Sequence, residues 1–145
     1  MKKAILLLAA VPLMSIAQPK EVKRNELEKI VHIESAKYVG YDVVARRYGN
    51  AKVEVIYKNV SDKAINGVKI VIDTRDIFDD RLTGTYFKDD KPLAPGESRT
   101  RLEKFGADQD KFKDKPVDKI TAEAYPIQII TGDGQNLKDD SVNTL

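Results

Sequence analysis

The sequence predicts an all-β protein, an antiparallel two-sheet β-sandwich of about seven short strands. Three observations carry that prediction. β-branched and aromatic residues alternate with polar ones over several short runs, clusters of Gly, Pro, Asn and Asp separate those runs, and no amphipathic helical period interrupts them.

The chain opens on Lys2 and Lys3, an apolar run from Ala4 to Met14, and small residues Ser15 and Ala17 at cleavage-site spacing. This is the pattern of a secretory signal peptide over residues 1–17. The apolar run falls short of the about 20 residues needed to span a bilayer, and no later run approaches it. No Cys follows, so a lipoprotein anchor has no attachment point. The expectation is a soluble protein exported through the inner membrane and either periplasmic or secreted.

Removing Lys2 and Lys3 cancels the formal net charge of +2, leaving basic and acidic residues balanced and interspersed. Such a surface has no electrostatic footprint for nucleic acid. Met1 and Met14 leave with the leader, and Cys is absent, so His32 is the only soft or borderline metal ligand that remains. Copper, zinc and haem sites built on Cys, Met and His are thereby disfavoured. The remaining chain of about 128 residues is one domain large enough to hold itself together by its core without disulfides.

Residues 18–29 are mostly charged and predict a flexible lead. Residues 30–135 carry the sandwich. Val31 and Ile33 alternate with Ile30, His32 and Glu34, giving a first strand. Gly49-Asn50 tolerates the positive φ of a tight hairpin, which places a turn there. In the run beyond it Val53, Val55 and Tyr57 share one face, Lys52, Glu54 and Lys58 share the other, and Ile56 breaks the pattern.

Asn59, Ser61 and Asp62 supply turn chemistry, and Val68, Ile70 and Ile72 define the next strand. Pro95-Gly96 fits a type II turn ahead of the charged run from Ser98 to Phe105, which belongs at a sheet edge where charge discourages aggregation. Residues 106–118 read as a solvated loop. Ile120, Ala122 and Ala124 begin the last long strand, and Pro126 requires a bulge or an edge position. Residues 136–145 form a polar tail.

The strand ending in Lys58-Asn59, the turn "VSDKAI", the alternating strand after it and "LAPGES" before another strand resemble small bacterial extracytoplasmic immunoglobulin-like domains, the group that includes FxLYD-type domains. The resemblance runs from about Ala51 to Ile130. It departs from that pattern at "VKIVID", which has no Phe or Tyr. It implies an immunoglobulin-like sandwich acting as an interaction or accessory module without shared catalytic residues.

Candidate chemistry is sparse. Every Ser-His-Asp or Cys-His mechanism would run through His32, with Glu34 as its orienting partner, and the simpler reading is an exposed strand histidine. Asp76, Asp79 and Asp80 in "TRDIFDD" are the best candidates for a cation, calcium being the ion that suits such loops, although each acidic group has Lys or Arg nearby. The same carboxylates are candidates for a small secreted hydrolase, which needs two of them across a cleft.

Tyr41, Arg46, Arg47 and Tyr48, together with Tyr38, form a candidate aromatic and basic partner-binding cluster. Asn59-Val60-Ser61 matches a glycosylation acceptor, although a turn role suffices for Asn59. The leading expectation is an exported non-catalytic module that binds another envelope or extracellular component. The alternatives are the hydrolase and a calcium-stabilised binding domain. No cofactor is implied.

Overall fold

The computed structural model describes residues 17–144, so the predicted leader lies outside the described residues except for Ala17. Among the described residues eight strands run in the order β1 (Lys20–Val22), β2 (Val31–Val43), β3 (Tyr48–Asn59), β4 (Ile65–Arg75), β5 (Arg81–Asp89), β6 (Ser98–Asp108), β7 (Thr121–Thr131) and β8 (Asn136–Asp139). Two short helices, α1 (Arg24–Glu28) and α2 (Gln109–Phe112), precede β2 and follow β6. The sheets have the orders β1-β8-β7-β4-β5 and β2-β3-β6, forming a β-sandwich. All neighbours are antiparallel except β1 and β8.

The alternating residues meet between the sheets as their period requires. Ala51, Val53, Val55 and Tyr57 of β3 face Val68, Ile70 and Ile72 of β4, and all are buried. Ile56 lies on the opposite face of β3, between Ser35 and Thr100 of the neighbouring strands. In β2 the register shifts at Glu34 and again at Val39. The first bulge moves the inward set from Val31 and Ile33 to Ala36 and Tyr38, and the second moves it on to Tyr41. A single period of two could not follow that strand.

Several sequence expectations are corrected. The hairpin turns at Val44–Arg47 rather than at Gly49-Asn50, because Val43 already pairs with Gly49. Gly49 is required for space: a Cβ there would stand 2.3 Å from the Asp42 carbonyl oxygen and 2.4 Å from Tyr41 Cζ. Residues 18–29 are not a flexible lead, since β1 pairs with β8 and Leu27 of α1 is fully buried. The polar tail begins with that same β8 and ends in a 3-10 turn, Asp140–Thr144. The loop after β6 is anchored by Phe112, whose ring is buried against Tyr38 and Tyr41.

Other expectations hold. Gly96 takes φ 77° in the turn closed by Glu97 N–H donating to Ala94 C=O at 3.0 Å. The β4–β7 register shifts beside Pro126, where a bulge absorbs the residue that cannot donate. β6 is an edge strand. No described helix is long and apolar enough to cross a membrane.

Candidate functional site

One end of the sandwich gathers the β2–β3 turn, the β4–β5 turn at residues 76–80 and the β6–β7 connection at residues 109–120. Arg47 C=O accepts the Gln109 N–H at 3.0 Å, and Lys111 Nζ donates to Leu82 C=O at 2.9 Å, so the three segments are tied together. Most of the strongly exposed large apolar side chains sit here: Val43, Val44, Tyr48, Ile77, Phe78 and Val117. Ile77 is 65% and Phe78 77% exposed, and the two border a hollow with Lys115, Pro116 and Lys119. Large side chains exposed together in this way mark interaction surfaces more often than they decorate monomers.

The acidic residues of the β4–β5 turn build it. Asp76 Oδ1 accepts the N–H groups of Phe78 and Asp80 at 2.9 and 3.1 Å, an Asx-type closure. Asp79 adopts φ 65°, and its carbonyl accepts from Arg75 at 2.9 Å. Asp76, Asp79 and Asp80 are therefore neighbours, but it is the Asp76 carboxylate and the backbone of Asp79 that shape the turn and leave Ile77 and Phe78 in solvent. Among the described residues no three His, Asp or Glu side chains come together in a way that would hold a metal ion.

The predicted partner-binding cluster divides. Arg46, Arg47 and Tyr48 are exposed at this end. Tyr41 turns inward instead, stacking on Phe112 with centroids 5.5 Å apart and donating its O–H to Ala107 C=O at 2.9 Å. Burial raises its phenol pKa, with Asp108 and Asp110 adding to the shift. The ring crosses β3 above Gly49 to reach β6, so Tyr41 belongs to the packing of this end, and Tyr38 is core.

A second constellation occupies the side of the sandwich where β5 and β6 stand apart. β2 packs along β7 on the opposite side, whereas the β5–β6 seam is filled by long side chains. The β3–β6 register puts Arg99, Arg101 and Glu103 on the inner face of β6, opposite Tyr57, Val55 and Val53. Asp89 at the end of β5 is almost completely buried and accepts from the Tyr57 hydroxyl, from Arg99 Nη1 at 2.6 Å and from the Lys91 N–H at 3.1 Å.

Burial alone would raise the Asp89 carboxyl, but those three donors together hold it below its ordinary value. Tyr57 is pushed well above its ordinary range by burial and by its bond to Asp89. Arg99 is raised by the same carboxylate. Arg101 lies over Phe87, 5.5 Å from the ring centroid, and pairs with Glu103. These groups are satisfied by one another, and Tyr57 is too strongly protonated to serve as a base. Sequence reading missed Arg99 because its charge marked the strand as an exposed edge.

The outer face of the larger sheet carries a further row, Tyr86, Val71 and Tyr125, across β5, β4 and β7. Lys69 covers Tyr86, and Arg24 covers Tyr125 while also pairing with the buried Asp139 at 2.9 Å. Asp73 in the next row takes Arg81 at 2.8 Å and the Tyr125 hydroxyl at 3.1 Å. Gly84 leaves the room for that pair, since a Cβ there would stand 2.3 Å from both partners.

His32 is exposed on the outer face of the smaller sheet, across from Lys58. The bulge at Glu34 takes that carboxylate out of step with His32, and it accepts from Ser98 Oγ at 3.1 Å. The orienting pair expected from alternation is not assembled. Asn59 is wholly buried, donating to Lys63 and Leu93 carbonyls and accepting from Ser61, so it is a loop anchor and not a glycan acceptor.

No protein-family model matches the chain, and no curated protein matches it. Among solved structures, an X-ray structure of a Northeast Structural Genomics Consortium target is similar with a TM-score of 0.49 at 8% identity, covering 78% of this chain and 83% of that one. A protein from Archaeoglobus fulgidus is similar with a TM-score of 0.40 at 16% identity, covering 70% of this chain and 85% of that one.

Proposed function

We propose that the protein is an exported, non-catalytic β-sandwich that acts as an interaction module, binding an envelope or extracellular protein through the end formed by the β2–β3 turn, the β4–β5 turn and the β6–β7 connection. The observation that carries this reading is the grouping of Val43, Val44, Tyr48, Ile77, Phe78 and Val117 on segments tied to one another at that end. Apolar and aromatic groups together with Lys115 and Lys119, which border Ile77 and Phe78, and the exposed Arg46 and Arg47 of the β2–β3 turn have the composition of a protein-binding surface.

The test uses the tagged full chain, expressed with its own leader in its host, cross-linked mildly and recovered from the envelope fraction for mass spectrometry. The expected result is one reproducible protein whose cross-links map to residues 43–48, 76–80 or 113–119. Its recovery should fall at least tenfold in the Ile77→Ser/Phe78→Ser variant, which keeps its melting temperature because both side chains are already in solvent. Equal recovery by variant and wild type, or no cross-link at this end, overturns the reading.

A further inference from the structure

We propose that two copies of this chain pair through the free edge of β6, antiparallel and symmetric about Leu102, joining the smaller sheets into one six-stranded sheet. The backbone supplies the first argument. Hydrogen bonds bracketing the β3–β6 ladder, Asn59 N–H to Glu97 C=O and Gln109 N–H to Arg47 C=O, connect odd-numbered residues in the same register as the strand pairs. Val60 N–H donates to Ile30 C=O on the β2 side, which gives the even-numbered residues of β3 to β2. Antiparallel ladders alternate in this way. Ser98, Thr100, Leu102, Lys104 and Gly106 therefore direct their N–H and C=O groups to the open edge.

Side chains supply the second argument, because the strand is self-complementary only in that register. A two-fold axis at Leu102 sets Leu102 against Leu102 on the outer face, where it is 53% exposed in the single chain. On the inner face it sets Arg101 against Glu103 of the second copy, twice, and Arg99 beside Phe105. Opposite charges directly across a ladder stabilise it, and like charges destabilise it. Moving the axis by one residue, to Arg101 or to Glu103, sets like charges face to face, Arg101 on Arg101 or Glu103 on Glu103, and it is this repulsion that disfavours the shifted registers. An isologous contact of this kind closes on itself, so it ends the edge rather than propagating a fibre.

The β5–β6 side is the open one: among the described residues β6 pairs with β3 alone and is the last strand of its sheet. The two apolar ends point in opposite directions in the dimer and remain free, so this pairing stands independently of the proposed partner surface.

The test is sedimentation of the purified protein across about two decades of concentration, since a symmetric dimer dissociates by mass action. Wild type is expected to be dimeric. Arg101→Glu and Glu103→Arg each set like charges together at both symmetric positions, so each is expected to weaken the dimer at least tenfold. The double exchange Arg101→Glu/Glu103→Arg restores it. Because the two residues also pair within one chain, the melting temperature of each single variant at high dilution is measured alongside, and a dimer lost at an unchanged monomer melting temperature assigns the effect to the contact between copies.

The native chain has no cysteine, so an Arg101→Cys protein mixed with a Glu103→Cys protein should form an intermolecular disulfide that neither forms alone. A monomer at all concentrations overturns the proposal. So does a dimer indifferent to both single exchanges, or a disulfide that forms equally well without mixing.

Discussion

Arg99 Nη1 lies 2.6 Å from Asp89 Oδ2, and the two members of the pair are unequally placed: the carboxylate side chain is 2% exposed and the guanidinium side chain 20%. The buried carboxylate depends on the arginine, because without it one charge in the core keeps only the Tyr57 hydroxyl and the Lys91 N–H. Arg99→Ala is expected to cost about 3 kcal/mol, the penalty for leaving a buried charge without its partner. Tyr57→Phe removes one hydrogen bond and keeps the packing against Phe87, and should cost about 1–2 kcal/mol. Urea unfolding of the two variants gives both values, and equal losses would show that the arginine is not the principal partner.

The same contact predicts an acid dependence. Asp89 binds its proton more weakly in the folded chain than in the unfolded one, so the unfolded chain takes up the proton first as pH falls. The stability contributed by the carboxylate is whole above the ordinary value of 3.8 and drains away as pH drops toward the lowered folded value. Asp139 is shifted in the same direction, because the donors Ser141 and Arg24 outweigh its burial, and it adds a parallel slope. Asp89→Asn should flatten the acid limb of a stability-against-pH curve without abolishing it. An unchanged limb would remove Asp89 from the account.

Gly49 and Tyr41 form a lock whose two halves fail differently. Gly49→Ala drives a Cβ against the Asp42 carbonyl oxygen, which belongs to the backbone and cannot swing aside, and should cost about 2–3 kcal/mol. Tyr41→Phe keeps the stack on Phe112 and loses only the bond to Ala107, so about 1 kcal/mol is expected. Thermal unfolding of the two variants tests the ordering. A Gly49→Ala protein as stable as wild type would show that β2 and β3 can separate there at little cost.

Much of the architecture can be read in particular residues. The faces of Val53, Val55 and Tyr57, and of Val68, Ile70 and Ile72, were legible because those residues recur at a period of two with no bulge in their own strand among them, Ile56 and Val71 being the apolar residues on the other face. β2 hid part of its inward face because two bulges shift that period. β1 was illegible because it has three residues and finds its partner, β8, across nearly the whole chain, and β8 because its four residues are too few to show a period although it pairs with the adjacent β7. Leu27 and Phe112 each stand alone in a charged stretch, where one apolar residue gives no periodicity although tertiary burial makes it an anchor.

Leu27→Ala should therefore cost about 3 kcal/mol, a core penalty rather than the near-zero effect expected of a flexible lead. Denaturant unfolding measures it directly. The candidate site was legible as composition, in Arg46, Arg47 and Tyr48 and in the acidic turn. It was not legible as geometry, because nothing in "DIFDD" states that the Asp76 carboxylate faces its own backbone while the two apolar residues face out.

Two roles for Asp76, turn closer and calcium ligand, make different demands on its side chain. As a turn closer it needs an oxygen that accepts from Phe78 and Asp80, and an amide oxygen serves as well as a carboxylate oxygen. As a calcium ligand it needs the negative charge. Asp76→Asn is therefore expected to stay within about 0.5 kcal/mol of wild type, whereas Asp76→Ala frees two backbone donors and should lose about 1 kcal/mol. Millimolar calcium should leave the melting temperature of wild type and of Asp76→Asn alike. A calcium-induced rise in wild type that vanishes in Asp76→Asn would instead assign the carboxylate to an ion, and the exposure of Ile77 and Phe78 would then be set by calcium rather than by the turn alone.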